Sequence, residues 1–185
     1  MKKLLLIAIA LCLLVSCASI LPNSGGSKFM ATIEDNGTDS GDWKKDYYVD
    51  EFKSPTDESY IYVPINGIFS NSATTGSSVK GKLMVEKDLV VIKLLEYGTY
   101  PITVTKGGIW VKMKAGEEVV NMGLATLSGS RILLFDTKTV FDVFNRYDKV
   151  QFYIEITDYV TSRYNFTINT KGFTHAYKTA FPIIE

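Results

Sequence analysis

The chain has 185 residues, with 20 lysines and arginines against 20 aspartates and glutamates, one histidine and two cysteines. A balanced charge lacks the clustered basic excess with which a nucleic-acid binder neutralises phosphates. The scarcity of His and Cys speaks against zinc, which takes three or four such ligands, and against Ser-His-Asp or Cys-His hydrolysis, which His175 alone would have to serve.

The first predicted element is a leader. Lys2 and Lys3 precede an apolar run from Leu4 to Val15, after which the chain turns small and polar at Ser16, Cys17, Ala18 and Ser19, the layout of a secretory signal. The run is 12 residues long and covers about 18 Å as a helix against a bilayer core of about 30 Å, too short to span it. Leu14-Val15-Ser16-Cys17 resembles the lipobox of bacterial lipoproteins. That resemblance implies cleavage before Cys17, a diacylglycerol on its thiol and an acyl chain on its amine. Cys17 is then a lipid attachment point, and the chain is held at a membrane of the cell envelope. Ala18 and Ser19 lack the acidic second residue that holds enterobacterial lipoproteins at the inner membrane, which points to the outer one. Cys12 leaves with the leader, so no disulfide partner remains.

Cleavage there removes 16 residues and leaves 169, with 18 basic against 20 acidic side chains, enough to bury one core without disulfide staples. Residues 17–28, CASILPNSGGSK, read as a lipidated N-terminus and flexible tether, and 29–185 as a single β-rich domain. The stretch EDNGTDSGD, Glu34 to Asp42, gathers oxygen ligands. Counting from Asp35, its sixth place is Ser40 where an EF-hand loop needs Gly. A looser calcium loop and a plain turn-rich connection remain the alternatives. Lys44 and Lys45, beside Asp42 and Asp46, read as a solvated mixed surface.

From there the period is mostly two. YIYVPI places Ile61, Val63 and Ile65 on one face, and VKGKLMVE, LVVIKLL, PITVT, IWVKMK, VVNMGLATL, RILLF, VQFYIEIT and RYNFTIN follow as strands. TKTVFDVFNRYD carries Val140, Phe141, Phe144 and Tyr147 at helical spacing behind possible caps at Asp136, Thr137 or Thr139. GFTHAYKTAF repeats apolar residues at steps of three and four, with His175 on the outer side. The expected fold is mainly β: an antiparallel β-sandwich or barrel of about nine or ten short strands, with one or two short helices near 139–147 and 173–181.

The segments VDEFKSPTDESYI, GIFSNSATT and YNFTINTKGFTHAYK resemble stretches of secreted and lipid-anchored bacterial proteins of uncharacterised function. The GF-x-x-AY ending is similar to the ends of periplasmic invasion-locus and type VI secretion-associated accessory proteins. Neither resemblance carries a catalytic residue onto this chain, and the sequence implies no cofactor or metal. Asp50, Glu51, Asp57, Glu58, Asp142, Asp148, Glu155 and Asp158 offer carboxylates for glycosidase-type chemistry, but that needs a separation in space. The remaining signal is aromatic. Tyr60, Tyr62, Trp110 and Tyr153 alternate with apolar residues that must face the core, so all four point away from it. They form either an aromatic binding patch for an envelope protein or a glycan, or a second core layer under a helix or the N-terminal segment. Expected function is thus a non-enzymatic envelope binding or assembly module, with a polysaccharide hydrolase, or a structural spacer or secretion-system accessory protein, as alternatives.

Overall fold

The structure, a computed structural model, describes residues 30–31, 41–104 and 106–182. The leader, Cys17, the tether and nearly all of Glu34 to Asp42 lie outside the described residues. Eleven strands form one antiparallel sheet: β1 (Met30–Ala31), β2 (Lys44–Val49), β3 (Pro55–Ser70), β4 (Ser77–Glu86), β5 (Leu89–Glu96), β6 (Tyr100–Pro101), β7 (Gly108–Ala115), β8 (Glu118–Ser128), β9 (Arg131–Leu134), β10 (Lys149–Thr157) and β11 (Thr161–Asn169). Eight of them run β3-β11-β10-β7-β8-β9-β5-β4, and the β4–β3 pairing closes the ring. Of the two expected architectures, the barrel is the one found.

Closure shapes individual residues. YIYVPI and GIFS fuse into the single 16-residue strand β3, which β2 pairs along its first half and β11 along its last four residues. Pro64 sits in the gap between those two partners, where its missing N–H leaves no ladder bond unmade. Gly67 and Gly81 occupy inward positions of β3 and β4 at the bend. A Cβ on Gly81 would lie 1.9 Å from the Lys93 carbonyl oxygen, and one on Gly67 2.3 Å from that of Asn165. Of the described residues of the expected strand PITVT, only Pro101 pairs, as the second residue of β6 after Tyr100. Beyond that, Ile102 turns its side chain into the core.

Inward positions alternate cleanly. β7 reads Ile109, Val111, Met113 and Ala115 buried against Trp110, Lys112 and Lys114 exposed, and β10 buries Val150, Phe152, Ile154 and Ile156. Phe152 stacks on Phe166 at 5.2 Å between ring centroids. An apolar interior with charged outward positions is the reverse of a membrane-spanning barrel, whose lipid-facing wall is apolar.

Two helices plug one end, α1 (Thr137–Arg146) and α2 (Phe173–Ala180). Asp136 caps α1 by accepting from the Thr139 amide at 3.2 Å. Gly172 opens α2 with a φ of 84°, backbone that glycine adopts without the usual Cβ penalty. Trp43, Phe144 and Phe173 meet between them, with Trp43 5.9 Å from Phe144 and 5.1 Å from Phe173. His175 is exposed on α2. Arg146 grips Glu118 through two hydrogen bonds of 2.9 and 3.2 Å, fastening α1 to the start of β8.

One expectation fails at β2. Asp46 is not part of a solvated surface but fully buried, accepting from the Tyr60 hydroxyl at 2.9 Å and the Tyr47 amide at 2.9 Å. The cause is register: Asp46 pairs with Tyr60 across β2 and β3, beneath a second apolar cluster of Tyr48, Tyr60, Tyr62, Met84 and Val91. Asp46→Ala leaves the Tyr60 hydroxyl buried without its acceptor, and Tyr60→Phe leaves the carboxylate without its donor. Each should cost about 1–3 kcal/mol. The double variant Asp46→Ala/Tyr60→Phe should cost less than the sum of the two, read from urea midpoints in a double-mutant cycle.

Candidate binding site at the open mouth

Among the described residues, no helix covers the end of the barrel opposite α1 and α2. Four segments edge it: the β3–β4 connection at Asn71, the β5–β6 turn from Glu96, residues Pro101 to Thr103, and the β10–β11 turn at Asp158 to Val160. Between them lies a cleft of about 270 Å³. Its polar groups are Asn71, Glu96, Thr103, Asp158, Ser162 and Tyr164, over a floor that includes Ile102 and Ile156.

Glu96, Tyr164 and Asp158 are held where strands end. Glu96 terminates β5 and accepts from the Tyr164 hydroxyl at 2.6 Å. Burial, then this contact, pushes the Tyr164 phenol far above its ordinary value, so the hydroxyl keeps its proton and stays a donor. Asp158 accepts from the Lys106 amide at 3.2 Å, closing the β10–β11 turn against the approach to β7. Two carboxylates and several hydroxyls therefore line one shallow opening.

Tyr159 and Tyr164 line the cleft, and further aromatics flank it. Phe69 stacks on Tyr164 at 5.8 Å, meets Tyr97 edge-on at 5.1 Å, and Tyr97 meets Tyr100 at 6.4 Å, a continuous line from core to solvent. Tyr97 is 53 % exposed, Tyr100 66 % and Tyr159 80 %. Tyr97 and Gly98 have φ of 52° and 76°, and the Thr99 amide donates to the Glu96 carbonyl at 3.0 Å. That is a mirror-image hairpin turn, whose first central position favours Asn, Asp or Gly. A tyrosine there carries backbone strain, offset in part by its contact with Phe69.

The four aromatic residues singled out by parity separate into two walls. All four point away from the barrel interior. Tyr60 and Tyr62 are buried in the second cluster, their rings 6.1 Å apart, so they belong to a second layer. Trp110 and Tyr153 share the opposite wall on neighbouring strands β7 and β10, in register with Glu155 and Lys112 respectively. Trp110 is 50 % exposed beside Leu124. Tyr153 is half-buried and donates to Glu155 at 2.9 Å, which also holds Arg163 at 2.9 Å.

Of the mouth residues, Asp158 stands among the carboxylates the sequence offers for glycosidase-type chemistry, and the others escape because strand parity says nothing about turns. The legible signal was an aromatic in a turn position, in EYGTY and in TDYVTS, where solvent-facing polar residues are the norm. Among the described residues no group of three or more His, Cys, Asp or Glu is placed to hold a metal ion. No family model, no curated protein and no solved structure matches the chain.

Proposed function

We propose that this protein is a lipid-anchored cell-envelope module that binds a glycan, without cleaving it, at the open mouth of its barrel. The observation that carries the reading is the conjunction at one opening of exposed tyrosines with acceptor carboxylates and hydroxyls. Sugars present exactly matching chemistry in the loose sense of apolar ring faces for aromatic contact and hydroxyls for hydrogen bonds. The mouths of barrels are also where such folds take small ligands. The anchor rests on the resemblance at Leu14 to Cys17, with the outer membrane favoured.

A hydrolase is the second reading, favoured by Glu96 and Asp158 sharing one cleft. Both are engaged as acceptors, Glu96 by a tyrosine hydroxyl and Asp158 by backbone, which suits holding hydroxyls better than delivering a proton.

Native gels cast with a panel of soluble polysaccharides test both readings. At least one polysaccharide should retard the protein, and Tyr97→Asn combined with Tyr159→Ser should abolish the retardation. The melting temperature should change little, because Asn relieves the strained turn while the Phe69 contact is lost. Retardation by none of the polysaccharides, or equal retardation of parent and variant, would count against the mouth as a glycan site. Release of reducing ends that stops with Glu96→Gln would replace binding by hydrolysis.

A further inference from the structure

The outer face of β3, β4, β5 and β9 is banded across the strands. Register places Tyr62, Met84, Val91 and Leu133 side by side in one row. The next row toward the mouth is Pro64, Lys82, Lys93 and Arg131. Three cations thus stand directly opposite one another on adjacent strands, an arrangement that destabilises a sheet by mutual repulsion. Lys80 lies on the same face of β4, two residues on. Carboxylates sit at the other end of the face, where Glu86 accepts from the Tyr48 hydroxyl and Asp46 from Tyr60.

Among the described residues, Glu86 is the carboxylate that acts on Lys93 against its cationic neighbours. Among the described residues no carboxylate forms an ion pair with Lys82, Lys93 or Arg131. Lys82 lies over the Tyr62 ring, 4.1 Å from its centroid, and Lys93 is half-buried between its two cationic neighbours. Burial, then Arg131 and Lys82, lowers the Lys93 ammonium from its ordinary value, so an anion placed here relieves a standing cost.

We propose that this cationic row docks on the phosphate-bearing headgroups of an anionic membrane surface. Chain continuity favours a membrane over other anions. β1, the first described strand, pairs with β2, and β2 pairs with β3 at the flank of this same face. The segment that carries Cys17 therefore joins the barrel beside the row, with only residues 18–29 intervening. The choice of a membrane rests on the proposed anchor at Cys17, while the row itself stands on register and charge.

The test uses the full chain carrying Cys17→Ser, so that no acyl group contributes, floated with vesicles of phosphatidylglycerol and phosphatidylethanolamine or of phosphatidylcholine alone. Binding should favour the anionic vesicles and weaken with salt. Lys82→Gln/Lys93→Gln/Arg131→Gln on the same background should lose about a hundredfold, near fivefold per cation, while Lys93→Arg keeps the affinity. Because Lys2 and Lys3 are common to parent and variant, the difference between the two reports the row alone. Removing the repulsion should leave the melting temperature equal or higher. Unchanged anionic binding by the triple variant, or equal binding of the parent to both lipid mixtures, overturns the proposal. So does a fall in melting temperature, which would show the row already neutralised by the chain's own acids, such as Glu34, Asp35 and Asp39. If the triple variant does not fold, Arg131→Gln alone should still lose about fivefold, and no loss overturns the proposal equally.

Discussion

Alanine at Gly81 should destabilise the barrel by at least about 3 kcal/mol, the upper end of ordinary overpacking costs. Its Cβ would stand 1.9 Å from the Lys93 carbonyl oxygen and 3.2 Å from the Leu94 Cα, both backbone atoms of β5. No rotamer change relieves a backbone contact, so β4 and β5 must separate where they pair Gly81 with Leu94. Such a shift strains the β3–β4 closure next door, where Ile65 pairs with Gly81. With total stabilities of about 5–15 kcal/mol for domains, the variant should show a much lower urea midpoint or no cooperative transition. Gly123→Ala is the comparison. There φ is 74° and nothing lies within 4 Å of the added carbon, so only the left-handed backbone penalty of about 1–2 kcal/mol applies. Equal losses at the two glycines would show that close approach at β4–β5 does not govern the barrel.

Gly81 also marks where sequence reading stops. VKGKLMVE shows its alternation plainly, and so do YIYVPI, IWVKMK and VQFYIEIT, because each strand has one face against a continuous apolar interior. The helical spacing of Val140, Phe141 and Phe144 was equally legible, since α1 presents one stripe to the barrel end. What periodicity does not encode is pairing between distant strands. The barrel closes through β3 with β4 and through β3 with β11, about a hundred residues apart in sequence, and that closure is what makes Gly67 indispensable, whereas Gly81 answers to the close approach of its hairpin neighbour β5.

The same limit governs the surface. Parity assigned Tyr60, Tyr62, Trp110 and Tyr153 to the outward side, and all four are there. Whether an outward residue is exposed depends on its cross-strand neighbours. Tyr60 and Tyr62 neighbour Tyr48, Met84 and Val91 and are buried, whereas Trp110 neighbours Glu155 and Leu124 and is not. Asp46 follows the same logic: its local sequence is charged, yet its register partner is Tyr60. The mouth draws on four separate turns and segments, so its cleft exists only once the barrel is closed.

Serine in place of Cys17 should move the protein out of the membrane fraction or stop its processing. The expectation rests on the proposed lipid anchor. Three acyl chains at about 0.8 kcal/mol per buried methylene hold far more firmly than the marginal grip of a single myristoyl group. The barrel itself offers little to replace them: its outward positions on β7 and β10 carry Lys112, Lys114, Gln151 and Glu155, and among the described residues no helix is long and apolar enough to cross a membrane. Cell fractionation with palmitate labelling reads the result. The parent should be labelled and sediment with membranes even in high salt, whereas Cys17→Ser should lose the label. If the leader is still cut, the variant should appear in the soluble fraction, apart from whatever salt-sensitive fraction the cationic row retains. If cutting is blocked, it should migrate as a precursor longer by the 16 leader residues. Unlabelled parent protein, or a mature-sized variant that resists high salt as the parent does, would end the lipoprotein reading and leave the barrel to be placed in the cell by other means.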